Sequence, residues 1–134
     1  MTDKVIAFCD SVEINLEALQ GRVDVLKLNI GTTSYHLQAR LVELCSRSED
    51  TRRSVNEARR NLEEWFKEKE TESKSTIGHW VENRETGKLV ARARMTEECA
   101  AIAFLIAQAS IDDVERLVLE AIATRRDAEA VTVD

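Results

Sequence analysis

Apolar or small residues return along the first helix-sized stretch at spacings that alternate strictly between four and three: Val5, Cys9, Val12, Leu16, Leu19, Val23, Leu26 and Ile30. This alternation is the seam of a heptad repeat, and it commits the chain to helix, because a strand would bring its apolar side chains back every second residue. Asp10, Glu13, Glu17, Arg22, Asp24 and Lys27 fill the faces between. A seam this narrow needs a partner helix. None of the 134 residues is proline, so the residue that most often breaks helices never interrupts the pattern.

The seam continues through Thr33 and Leu37, steps by four again to Leu41, and runs on through Leu44, Ser48, Thr51, Val55, Ala58, Leu62 and Trp65. The extra step is a stutter, which locally relaxes a left-handed supercoil. Gly31-Thr32-Thr33-Ser34 lies between the two halves, with Gly suited to a helix C-terminus and Thr or Ser to an N-cap. One helix from Thr2 to about Lys74 would be ~110 Å long at 1.5 Å per residue. A break at Gly31 is favoured, since two shorter helices can fold back and bury more of a short chain.

Lys67, Lys69 and Lys74 gather where the second helix should stop, opposite the negative end of its dipole. Thr96 before Glu97 and Glu98 reads as an N-cap with an acidic first turn, followed by an apolar stripe of Cys99, Ile102, Ile106 and Ala109. Val114, Leu117, Val118, Ala121 and Ile122 extend the pattern to about Arg126, and the tail from Ala130 is expected to fray. The expectation is an all-α single domain with long amphipathic helices over about 3–30, 34–75 and 96–128, forming a coiled-coil-like helical bundle.

Helical periodicity lapses between residues 77 and 94. Leu89, Ala91 and Ala93 alternate with Val90, Arg92 and Arg94, and Glu85-Thr86-Gly87 has the chemistry of a three-residue hairpin loop. A short β-hairpin-like excursion is expected there, anchored by Trp80; the alternative keeps the segment helical despite Gly78 and Gly87. Charge follows the same division. Residues 1–50 hold 5 basic and 8 acidic side chains, residues 51–94 hold 11 and 8, and residues 95–134 hold 3 and 9. Trp80, Arg84, Lys88, Arg92 and Arg94 are therefore the candidate partner-binding residues. The overall charge of −6 works against nonspecific nucleic-acid binding, although such a regulator would use residues 84–94.

Catalytic chemistry finds little to work with. His36 and His79 are the only histidines, no Cys-x-x-Cys or Glu-x-x-His occurs, and no glycine-rich phosphate loop is present. His79 and Glu82 are helix-spaced but have Gly78 beside them, and His36 next to a helix start reads as capping or solvated. Glu63-Glu64, Glu97-Glu98 and Asp112-Asp113 read as solvated or first-turn acids. No catalytic residue, cofactor or metal is expected. Cys9, Cys45 and Cys99 are odd in number and widely spaced, which fits core thiols of a reduced, cytoplasmic protein. Met1-Thr2-Asp3-Lys4 does not open a signal peptide. The apolar stretch from Cys99 to Ile111 is about half of the ~20 residues a membrane span needs. These features lead to an expectation of a non-enzymatic assembly, scaffold or adaptor protein. It would act through helix–helix interfaces with itself, as a homodimer or higher oligomer, and with another protein. A small helical enzyme with an inter-subunit site is the remaining alternative.

Overall fold

Gly31 does divide the first two helices. In the computed structural model, which describes residues 3–70 and 72–132, α1 (Asp3–Ile30) stops just before it and α2 (Ser34–Glu70) begins three residues later. The Thr32 backbone N–H and hydroxyl both donate to the Asn29 carbonyl, at 3.3 and 2.9 Å, and so close α1. Thr33 caps α2: its hydroxyl accepts from the His36 backbone N–H at 3.4 Å and its carbonyl from that of Leu37 at 3.0 Å. Lys67 and Lys69 occupy the last turn of α2, which ends at Glu70 rather than near residue 75. Lys74 opens α3 (Lys74–Glu82), and α4 (Thr86–Thr132) completes an all-α chain with no strand among the described residues.

The hairpin expected over 77–94 is therefore replaced by a helix end, a tight turn and a helix start. Ser73 caps α3, accepting from the Thr76 backbone N–H at 3.2 Å. At the far end the Glu85 N–H donates to the Trp80 carbonyl at 2.9 Å and the Arg84 N–H to that of Val81 at 3.2 Å. These bonds form a Schellman closure, which places Arg84 in the left-handed region with φ 52°. The reversal is made at Arg84, and Gly87, with no positive φ, sits in the first turn of α4. Thr96 does not start a helix either. It lies within α4 and its hydroxyl donates back to the Arg92 carbonyl at 2.8 Å, so the third long helix begins ten residues before the position expected for it.

The chain forms two compact units, Met1–Ser54 with Ala107–Asp134 (unit 1) and Val55–Ile106 (unit 2). In unit 1 the core is Leu37, Leu41 and Leu44 of α2 against Leu119 of α4, with Ile122 and Ala123 packed beside them. The α2 seam read from the sequence is the buried face: Leu37, Leu41 and Leu44 here, Val55 and Ala58 in unit 2. The Ser48 side chain lies outside the described residues, and Thr51 is exposed. The α1 seam is rotated by about one residue from the expected one. Val12, Leu19, Val23 and Leu26 are half-buried, but Val5, Cys9, Leu16 and Ile30 are exposed, and Phe8, Asn15, Arg22 and Asn29 turn inward instead. The cause is polar: Arg22 and Asn29 are drawn to carboxylates on α4.

Candidate helix-docking faces

The inward-facing polar residues meet at Glu115, which is only 2% exposed in the middle of unit 1. Arg40 of α2 holds it with two hydrogen bonds, Nε to Oε2 at 2.9 Å and Nη2 to Oε1 at 2.7 Å, and Asn29 of α1 donates a third at 2.8 Å. Burial is the strongest single influence on this carboxyl and pushes its pKa up. The Arg40 and Asn29 hydrogen bonds together with the Arg40 charge outweigh it and hold the group below the ordinary carboxylate range. The same hydrogen bond raises the Arg40 pKa against the opposing effect of burial. One turn away, Arg22 Nη1 contacts both Asp112 oxygens at 2.6 Å. These contacts fix how α1, α2 and α4 are rotated about their own axes within the unit, and so decide which faces point out.

The outward faces carry seams of their own. On α1, Ala7, Ser11, Ile14, Ala18, Gly21, Val25 and Leu28 follow the four-three alternation, and every one is exposed, with Ile14 at 65% and Leu28 at 74%. Among the described residues, nothing beyond its chain neighbours and the adjacent backbone of α1 lies within 4 Å of where a Cβ on Gly21 would stand. On α4, Val114, Leu117, Ala121, Thr124, Ala128 and Val131 repeat the arrangement, again all exposed. Acidic residues edge both seams at seven-residue spacing: Asp3, Asp10, Glu17 and Asp24 along α1, and Asp113, Glu120 and Asp127 along α4. Among the described residues no ion pair engages Asp10, Glu17 or Asp24. Sequence reading took the strongly apolar seam on α1 and passed over this weaker one, whose Ala, Ser and Gly give little hydropathy signal. Its four-three spacing was the available sign.

A groove of about 490 Å³ opens between α2 and α4 in unit 1. Leu41, Val42 and Cys45 form one wall, and Ala123, Glu120 and Asp127 the other. Val42 is 70% exposed, and no lysine or arginine lines the groove among the described residues.

The five residues singled out in the sequence all belong to unit 2, but they do not form one patch. Trp80 is half-buried on α3, with Lys88 Nζ 5.7 Å from its ring centroid. Lys88 also pairs with Glu85 at 2.9 Å. Arg92 faces inward, 3.7 Å from Glu72, and lines a small cleft of about 60 Å³ with Trp65 and Met95. Arg94, two residues on, projects from roughly the opposite side of α4, and Arg84 sits exposed in the turn. Burial pushes the Cys99 thiol up, and the nearby Glu98 charge adds to the effect. The three cysteines form no disulfide, and no cluster of three metal-ligating side chains occurs among the described residues. No described helix is long and apolar enough to cross a membrane. No family model, curated protein or solved structure matches the chain.

Proposed function

We propose that this is a non-enzymatic assembly or adaptor protein that works by coiled-coil-like pairing of its helices with those of other chains, beginning with a second copy of itself. The observation that carries the reading is the outer seam of α1: a 28-residue helix with no buried residue presents an exposed heptad stripe along the flank of its half-buried face. Ile14, Val25 and Leu28 on this stripe gain by being covered, at roughly 25 cal/mol per Å² of apolar area removed from water. Small residues at Ala7, Ser11, Ala18 and Gly21 let a second backbone come close.

Charge selects the direction of pairing. In a parallel, in-register pair, the acidic row of Asp10, Glu17 and Asp24 on one copy lies along the row of Phe8, Asn15, Arg22 and Asn29 on the other, whose Arg22 and Asn29 stay engaged with Asp112 and Glu115 of their own chain, and not along its own twin. An antiparallel pair would set the two acidic rows against each other. Parallel pairing is therefore the arrangement proposed, with the twofold axis running along the seam.

Sedimentation velocity tests this. The chain is expected to run as a dimer or larger at micromolar concentration, and Ile14→Glu with Leu28→Glu is expected to run as a monomer. Both positions are exposed, so the helical circular dichroism should be unchanged. A parent chain that stays monomeric overturns the reading.

A further inference from the structure

We infer that the α2/α4 groove of unit 1 is the seat of an amphipathic helix from a different protein, one whose apolar stripe is flanked by lysine or arginine at heptad spacing. The inference rests on the helix-pairing reading above and names the partner chemistry for a second face. Three observations carry it. The groove is shallow and open, with an apolar strip of Leu41 and Ala123 at the edge of the core and Val42 standing 70% exposed, flanked by Gln38 and Thr124. Its α2 wall extends the same spacing, since Tyr35, Gln38, Val42 and Cys45 follow each other at three, four and three residues. Its α4 wall supplies Glu120 and Asp127, seven residues apart and without a lysine or arginine in the lining to answer them. Arg116, one turn back on the same helix, reaches Glu120 at 3.4 Å.

An occupying helix would lie along about two turns of each wall, place apolar residues on Val42 and Ala123, and run its flanking cations past Glu120 and Asp127. Charge complementarity disfavours the acid-edged seams of a second copy as the occupant. The seams of α1 and of the C-terminal part of α4 are edged by acids, so either would bring acid against acid. The basic residues of α2, Arg52, Arg53, Arg59 and Arg60, have no exposed apolar stripe beside them to fill the floor.

The test uses the full chain and three synthetic 21-residue peptides: one with Leu at both seam positions of each heptad and Lys at the flanking positions, its counterpart with Glu at the flanks, and a scrambled version of the first. Binding is followed by amide shifts of the labelled chain. The Lys peptide is expected to bind and to move the signals of Val42, Cys45 and Ala123. Its affinity should fall at least tenfold from low to high salt, because screened charges contribute less. Glu120→Lys with Asp127→Lys should cost it at least tenfold and favour the Glu peptide. Equal binding of the Lys and Glu peptides, equal binding of the scrambled peptide, or shifts away from the groove would each overturn the inference while leaving self-pairing through α1 intact. If no peptide binds, the inference also fails, and the sedimentation result on α1 reports separately on the broader reading.

Discussion

Glu115 is where a single residue decides the most. A carboxylate that is 2% exposed is tolerable only because Arg40 and Asn29 satisfy it, and removing one member of such a pair costs more than the pair itself contributes. Arg40→Ala is expected to destabilise unit 1 by about 2–4 kcal/mol, somewhat below the usual cost of breaking a buried pair because Arg40 is partly solvated. The pH dependence follows from the lowered Glu115 pKa. The unfolded chain takes up its proton first as pH falls, so the contribution is complete above the ordinary Glu range of roughly pH 4–5 and is lost as pH drops through the folded-state value. Urea midpoints measured from pH 7 to pH 3 should show that loss in the parent, and Glu115→Gln should lack that part of the slope. The sequence concealed this residue because a lone acid in a charged helix reads as solvated. Its phase was informative all the same: Glu115, Leu119 and Ile122 lie four and three apart on the inward face.

At the scale of elements, the all-α architecture, the break at Gly31 and the buried face of α2 were legible, since heptad spacing and turn chemistry act locally. The segment between α3 and α4 was not. The left-handed position of its Schellman turn holds Arg84, a residue with no special preference for that conformation, whereas the nearby Gly87 drew the reading towards a hairpin. Arg92 added to the confusion, because an inward-facing arginine on α4 breaks the apolar stripe that would have marked the helix. A non-glycine residue in the left-handed region costs about 1 kcal/mol. Arg84→Gly should therefore stabilise the α3–α4 turn by about 0.5–1 kcal/mol, read as slower amide exchange at Asn83 and Glu85. If exchange is unchanged or faster, the Arg84 backbone is not the strained point.

Across the whole molecule, charge and exposed seams fall in the same place. Unit 1 holds 10 basic and 15 acidic residues and both acid-edged seams, while unit 2 is nearly balanced at 9 and 10. The sequence had pointed to the basic middle segment as the special region, because that is where periodicity appeared to lapse. The structure resolves that lapse into a helical turn; unit 1 carries the two acid-edged heptad seams, while unit 2 exposes Phe66, Val81, Val90, Met95 and Leu105. Assembly through this face requires the outer seam of α1 to meet its own copy. In a chain with Cys9, Cys45 and Cys99 replaced by alanine, Gly21→Cys places one thiol at the middle of that seam, where parallel pairing brings it opposite its twin within disulfide reach. Mild oxidation at micromolar concentration is expected to give a covalent dimer, while Glu13→Cys, on the charged face of the same helix, stays monomeric. Equal cross-linking at the two positions, or none at Gly21→Cys, would contradict it.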